Sequence, residues 1–170
     1  VTSVSLIACS KDEEEEEAEE EESEEAEEEA PAEPEQNDAP DVIVAPVVVP
    51  DEKEEIEKVL INLCDDVKVN VIFTTGGTGF SPRDITPEAT KAVLEKDVPG
   101  IAEAIRQKSL EITEKAMLSR AVSGIRKNSL IINLPGSPKA VKEALEVVIP
   151  VLPHAVEVLS GNTLNCGGNY

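Results

Sequence analysis

The chain has no tryptophan, one tyrosine and two phenylalanines in 170 residues, so its core has to be assembled from valine, isoleucine, leucine and alanine, of which there is enough. Its three cysteines, Cys9, Cys64 and Cys166, lie far apart with no Cys-x-x-Cys or Cys/His pairing. That excludes a zinc site and a disulfide framework and fits a reducing compartment. No apolar run approaches the roughly 20 residues of a membrane-spanning helix. The single histidine, His154, sits in a Pro-His-Ala segment with no catalytic partner nearby in sequence, so packing is its expected role. The glycines at 76, 77 and 79 are followed by no Gly-Lys-Ser/Thr and form no Gly-x-Gly-x-x-Gly, which excludes a Walker loop and a dinucleotide fingerprint.

Negative charge is abundant but confined. The net charge is −21, yet residues 1–40 hold 18 acids and one lysine, whereas residues 41–170 hold 18 acids and 14 lysines plus arginines. Between positions 12 and 29 only Ala18, Ser23 and Ala26 are not Asp or Glu. Like charges that dense repel one another and bury nothing, so a disordered, solvated segment is expected. Residues 30–40, with Pro31, Pro34 and Pro40, read as an extended linker. The expected organisation is a first strand in 1–10, an acidic segment and linker in 11–40, an α/β domain in 41–161 and a flexible tail in 162–170. The acidic segment would repel nucleic acid and could engage a basic protein partner. Leu6-Ile7-Ala8-Cys9 before Ser10 looks like a lipoprotein cleavage site, but no basic region precedes it and Thr2, Ser3 and Ser5 interrupt its apolar part, so the strand reading ranks above a lipid anchor on Cys9.

Residues 1–8 and 42–49 are expected strands, the second an edge strand because of Pro46. Asp51 and Glu54 form a capping box for a helix ending near Asp65, in which Cys64 joins Ile56, Leu60 and Leu63 on the core face. The continuous apolar runs 69–73 and 130–134 are the mark of buried parallel strands. Helices are expected over 87–96, from Pro99 to about Lys108, from Ser137 and Pro138 onward, and over 151–159 beyond Pro150. Strands alternating with helices predict a three-layer α/β/α sandwich with a mostly parallel sheet, whose ligand site lies beyond the carboxyl ends of its strands. Asp51, the turn 74–79 and the loop 135–137 all fall at that edge.

The stretch Thr74-Thr75-Gly76-Gly77-Thr78-Gly79-Phe80-Ser81-Pro82-Arg83-Asp84-Ile85-Thr86-Pro87 carries the clearest chemistry. Glycines after a strand let backbone N–H groups approach an anion closely. Thr86 as N-cap and Pro87 as first helical residue start a helix where its positive end meets a phosphate. Asp84, between turn and helix, repels a phosphate unless a cation such as magnesium bridges them.

Read with Val49-Pro50-Asp51-Glu52, Ala116-Met117-Leu118-Ser119-Arg120, Gly124-Ile125-Arg126, Leu130-Ile131-Ile132-Asn133-Leu134-Pro135-Gly136-Ser137 and Leu152-Pro153-His154-Ala155, the stretch resembles the molybdopterin adenylyltransferase family, the bacterial Mog-type proteins and the G domain of gephyrin. The resemblance covers about 42–161 and implies a molybdopterin-binding-like fold and a cytoplasmic homotrimer. It also implies a reaction in which the terminal phosphate of molybdopterin attacks the α-phosphate of ATP and pyrophosphate leaves. Asp51 and Asp84 would then be the catalytic acids and the magnesium ligands. Thr75, Gly76, Gly77, Thr78, Gly79, Ser81, Ser119, Asn133, Pro135, Gly136 and Ser137 would bind substrate. Without the resemblance, Asp51 reads as a helix cap and Ser137 as another. Arg83, Arg120 and Arg126 are open between phosphate contacts and surface or interface roles.

The chain departs from this family after its first strand. Family members continue with Ser-Asp and an Asp-x-Ser-Gly string that opens the first helix at the ligand edge. Here Cys9-Ser10 is followed by Lys11 and the acidic run, so the first helix is replaced by an acidic segment. The departure implies impaired turnover on the ATP side. The competing expectation is a gephyrin-like scaffold or molybdopterin-binding module that keeps the fold and trimer without catalysis.

Overall fold

A computed structural model describes residues 3–9 and 46–161; the acidic segment 11–40, the tail 162–170 and the expected strand residues before position 46 lie outside the described residues. In chain order the elements are β1 (Ser3–Cys9), β2 (Val47–Pro50), α1 (Lys53–Asp65), β3 (Val71–Thr75), α2 (Thr86–Val93), β4 (Lys96–Asp97), α3 (Pro99–Leu110), a 3-10 turn (Glu114–Leu118), β5 (Ser123–Arg126), β6 (Ser129–Leu134), α4 (Pro138–Val148), a 3-10 turn (Ile149–Val151) and α5 (Leu152–Leu159).

The two apolar runs form the centre of a six-stranded sheet of order β2-β1-β3-β6-β5-β4. β3 and β6 lie parallel, with Val71 opposite Leu130 and Thr75 opposite Leu134. Their side chains alternate between two cores. Ile72 and Ile131 face Ile56, Leu60, Leu63 and Cys64 of α1 and Ala89 and Val93 of α2. Val71, Phe73, Leu130, Ile132 and Leu134 face Ile105 of α3 and Ala144 and Val148 of α4, with α5 packed on the same side. This is the expected α/β/α sandwich. Each fully buried aliphatic side chain contributes about 1.5–3 kcal/mol, so the pattern, and not aromatic content, holds the domain together. Cys64 is buried as expected, and burial pushes its thiol pKa up.

The sheet is mixed. β2, β3, β6 and β4 run one way, and β1 and β5 run against them. The sheet was expected to be mostly parallel, but among the described residues only β3 and β6 pair that way; β1 pairs antiparallel to β3, with Ser5 opposite Thr75 and Cys9 opposite Val71. Neighbouring parallel strands need a crossover, usually a helix packed on the sheet, and the sequence after Cys9 offers no apolar stripe for one. β1 therefore ends at the edge opposite the carboxyl ends of β3 and β6. β2 is the edge strand that Pro46 suggested.

Two short elements escaped the periodicity. β5 contains Gly124 and Arg126 and is too mixed to read as an apolar run. Its glycine is required, because a Cβ there would stand 2.4 Å from Leu94 Cδ1 and 2.6 Å from the carbonyl oxygen of Lys96. β4 pairs Lys96 with Ile125 and ends the expected helix 87–96 at Val93. His154 does not pack: it is exposed on α5, with Nδ1 3.7 Å from Glu157 Oε2.

Candidate functional site

The carboxyl ends of β3 and β6 bring the two predicted loops together. Gly76 and Gly77 take positive φ values of 92° and 64°, which turns the chain sharply after Thr75. A Cβ on Gly136 would lie 3.3 Å from Gly76 Cα, so the loop after β6 rests on the glycine turn. Backbones this close leave room for a small or flat ligand but not for side chains.

Beside this contact lies a groove of about 270 Å³. Thr78, Gly79, Ser119, Pro135 and Gly136, all expected to bind substrate, line it. The rest of its lining was not foreseen: Ala102, Ile105, Arg106 and Ser109 of α3, then Thr113, which caps the 3-10 turn, and Lys115 and Leu118 within it. Alanine, isoleucine and leucine give an apolar floor, and Arg106 and Lys115 set two cations at its rim against Glu143. Helical spacing in α3 signals only that one face is buried, so nothing in the sequence distinguishes groove from core there.

Asp84 is half-buried behind Gly79. A Cβ on Gly79 would stand 2.9 Å from Asp84 Oδ2, which accepts the backbone N–H of Ser81 at 2.8 Å. Ser81 itself is exposed outside the groove. Asp51 follows β2 at the same edge, since Pro50 pairs with Ser3 and Thr75 with Ser5. β1 lies between them, so the separation across the sheet is two strand spacings, on the order of 10 Å.

Asp51 does not cap α1. The cap position is Glu52, and it makes no side-chain bond to the helix. Asp51 is buried, and among the described residues its Oδ2 has no hydrogen-bond partner. A polar oxygen buried alone is costly and is kept where something else supplies the partner. Thr86 does not cap α2 either. Ile85 occupies that position, and the Thr86 hydroxyl is buried, without a partner, beneath Gly77. Ser137 does cap α4, accepting the backbone N–H of Ala140 at 3.2 Å.

Asn133 points away from the groove. Its side chain is fully buried; Nδ2 donates to Thr74 Oγ1 at 2.8 Å and to Thr90 Oγ1 at 2.9 Å, and Oδ1 accepts the backbone N–H of Val122 at 3.2 Å. Both amide protons are used, so the expected substrate contact gives way to a structural tie between β3, α2 and the strand before it. The three arginines separate as well. Arg83 is exposed. Arg126 forks onto Asp65 at 2.9 and 2.5 Å, far from the turn in sequence and held by α1. The Arg126 guanidinium holds the Asp65 carboxyl below the ordinary carboxylate range. Arg120 is bonded to the loop carrying Asp84.

The fold is an α/β sandwich that gathers two carboxylates and a glycine turn at one edge, the edge at which sheets of this kind take their ligands. Residues 37–154 match the family described as a probable molybdopterin binding domain, and the chain belongs to that family. It is 51% identical over 115 residues to the molybdopterin adenylyltransferase of Helicobacter pylori strain J99, covering 68% of this chain and 65% of that protein. It is 50% identical over 119 residues to gephyrin of Dictyostelium discoideum, covering 70% of this chain and 16% of that one. Among solved structures, the molybdopterin biosynthesis enzyme MoaB of Thermus thermophilus superposes with a TM-score of 0.62 at 52% identity, covering 66% of this chain and 70% of that one. The chain thus spans just under two thirds of the Helicobacter relative's length. Among the described residues no helix is long and apolar enough to cross a membrane.

Proposed function

We propose that this chain acts in molybdenum cofactor biosynthesis by adenylylating molybdopterin with ATP in the presence of magnesium. The observation that carries this reading is the meeting of the glycine turn and the 135–137 loop, where Gly136 rests on Gly76 at the mouth of the apolar groove. An apolar floor suits a pterin face, and turn N–H groups suit its phosphate. Arg106 and Lys115 add positive charge at the rim.

Asp51 and Asp84 would hold the magnesium ion; the unpartnered Oδ2 of Asp51 fits a hard cation, which when bound neutralises charge on the phosphates. The chain's own part is placement, since nucleotidyl transfer rests on alignment and charge neutralisation more than on a protein nucleophile. Thr78, Gly79, Ser119, Pro135 and Gly136 orient the pterin, Ser137 and the end of α4 offer backbone N–H groups, and Asn133 holds Thr74 and Thr90 in register behind them. The family resemblance supports a cytoplasmic homotrimer, and the acidic segment offers a surface for a basic protein partner.

The test is pyrophosphate release from ATP by the purified protein. Release that requires both molybdopterin and magnesium is expected, and none under any condition would overturn the assignment. A second reading, a molybdopterin-binding scaffold without turnover, is favoured by the missing Asp-x-Ser-Gly string and by the direction of β1, which ends at Cys9 opposite Val71, at the start of β3. Calorimetric binding of molybdopterin with no pyrophosphate release would establish it.

A further inference from the structure

One side chain outside the groove joins both ends of the loop that carries Asp84. Arg120 Nε donates to the carbonyl oxygen of Gly79 at 2.7 Å, and Nη2 donates to the carbonyl oxygen of Asp84. Nη1 meets the carboxylate of Glu88 on the first turn of α2. The Arg120 backbone N–H donates to Thr78 at 2.9 Å. Between the two carbonyls the residues Phe80 to Arg83 are exposed. Within the loop, the Asp84 carboxylate accepts the Ser81 N–H through the same oxygen that stands behind Gly79, the Asp84 N–H donates to the Ser81 carbonyl at 2.8 Å, and the Arg83 N–H donates to Ser81 Oγ at 3.4 Å. Arg120 is anchored in turn: Arg106 of α3 donates to the carbonyls of Ser119 at 3.1 Å and Ala121 at 3.0 Å, on either side of it.

We infer that Arg120 is a positioning residue: its guanidinium clamps the Gly79 and Asp84 carbonyls, fixing the shape of the loop and with it the direction of the Asp84 carboxylate. The inference rests on the proposed role of Asp84. A planar guanidinium has N–H groups on three nitrogens pointing in different directions, and here each nitrogen serves a different acceptor. A lysine ammonium is a point donor on a flexible stem and cannot bridge all three. Loss of the clamp leaves two loop carbonyls to water and lets Asp84 swing, while the two hydrophobic cores remain untouched.

The experiment compares wild type, Arg120→Ala and Arg120→Lys, the last keeping charge and aliphatic stem. Three readouts are taken: pyrophosphate release against magnesium concentration, amide hydrogen exchange of residues 79–84, and unfolding midpoint. A displacement of about 1 Å costs on the order of a hundredfold in rate. Both variants are therefore expected to lose about that much turnover, to need more magnesium for half-maximal rate and to exchange faster in the loop, with an unfolding midpoint close to wild type. Added methylguanidinium should restore Arg120→Ala at least in part, whereas Arg120→Lys stays impaired. Unchanged loop exchange in both variants, or full turnover in Arg120→Lys, overturns the clamp. Wild-type protein without any pyrophosphate release would remove the adenylylation reading alone, and the loop exchange and its recovery with methylguanidinium would still decide the clamp.

Discussion

The hydroxyl of Thr86 lies directly beneath Gly77: a Cβ at Gly77 would stand 2.2 Å from Thr86 Oγ1 and 3.3 Å from Thr86 Cβ. The Thr86 backbone N–H also donates to the Gly77 carbonyl at 3.2 Å, so the start of α2 and the glycine turn are one unit. With φ at 64°, Gly77 is strained for any side chain before the clash is counted. Gly77→Ala should cost about 2 kcal/mol or more, the sum of a left-handed residue and an overpacked contact, and should abolish molybdopterin binding. Gly100→Ala is the control, because nothing lies within 4 Å of its Cβ position near the start of α3. It should be neutral or slightly stabilising in thermal unfolding.

Asp51→Asn is expected to leave stability nearly unchanged, because among the described residues Oδ2 has no partner to lose and the helix cap is Glu52. Magnesium-dependent turnover should fall sharply at the same time, as it should for Asp84→Asn. Melting curves and pyrophosphate release, measured on the same preparations, separate the two effects. A large loss of stability with activity retained would make Asp51 a structural residue.

Asn133→Ala should act on the fold before it acts on any ligand. It strands the Val122 N–H, Thr74 Oγ1 and Thr90 Oγ1 inside the protein, at about 1–3 kcal/mol for each buried group left unpaired. Denaturant unfolding is the measurement. A stable Asn133→Ala protein that has lost only ligand affinity would return Asn133 to the binding surface.

Asp65 is held below the ordinary carboxylate range by its bonds to Arg126. A carboxyl depressed in the folded state stabilises the protein above its unfolded pKa, near 4, and that contribution fades as pH falls through the lower folded pKa. Below about pH 4 wild type should therefore lose stability more steeply than Asp65→Asn, with little difference in slope near neutrality. Parallel acid titrations of the two proteins would show that the pair contributes nothing.

Removal of residues 12–37, with a short Gly/Ser bridge, should leave both the unfolding midpoint and pyrophosphate release nearly unchanged. The segment is almost wholly acidic, and β1 hands the chain to it at Cys9, opposite Val71, at the far edge of the sheet from the glycine turn. Repulsion of a triphosphate from there is weak, since charges are screened over roughly 8 Å at physiological salt. Collapse of the fold on deletion would make the segment structural.

The sequence alone determined the sandwich and the edge at which its glycine turn falls. Short, β-branched continuous aliphatic runs mark strands buried on both faces, as β3 and β6 are, and the glycines after β3 mark a tight turn. Composition likewise set the acidic segment apart from the domain. The tertiary structure decided what local patterns leave open. Asp51 and Thr86 read as caps because capping is a short-range rule, yet neighbouring elements bury both and leave each with an unpartnered oxygen. Asn133 read as a ligand contact because it borders the 135–137 loop, but strand alternation turns it inward to Thr74 and Thr90. The direction of β1, the α3 wall of the groove and the grip of Arg120 on Gly79 and Asp84 join residues 36 or more positions apart or depend on strand pairing. No window of sequence contains such contacts; they exist only once packing has brought the segments together.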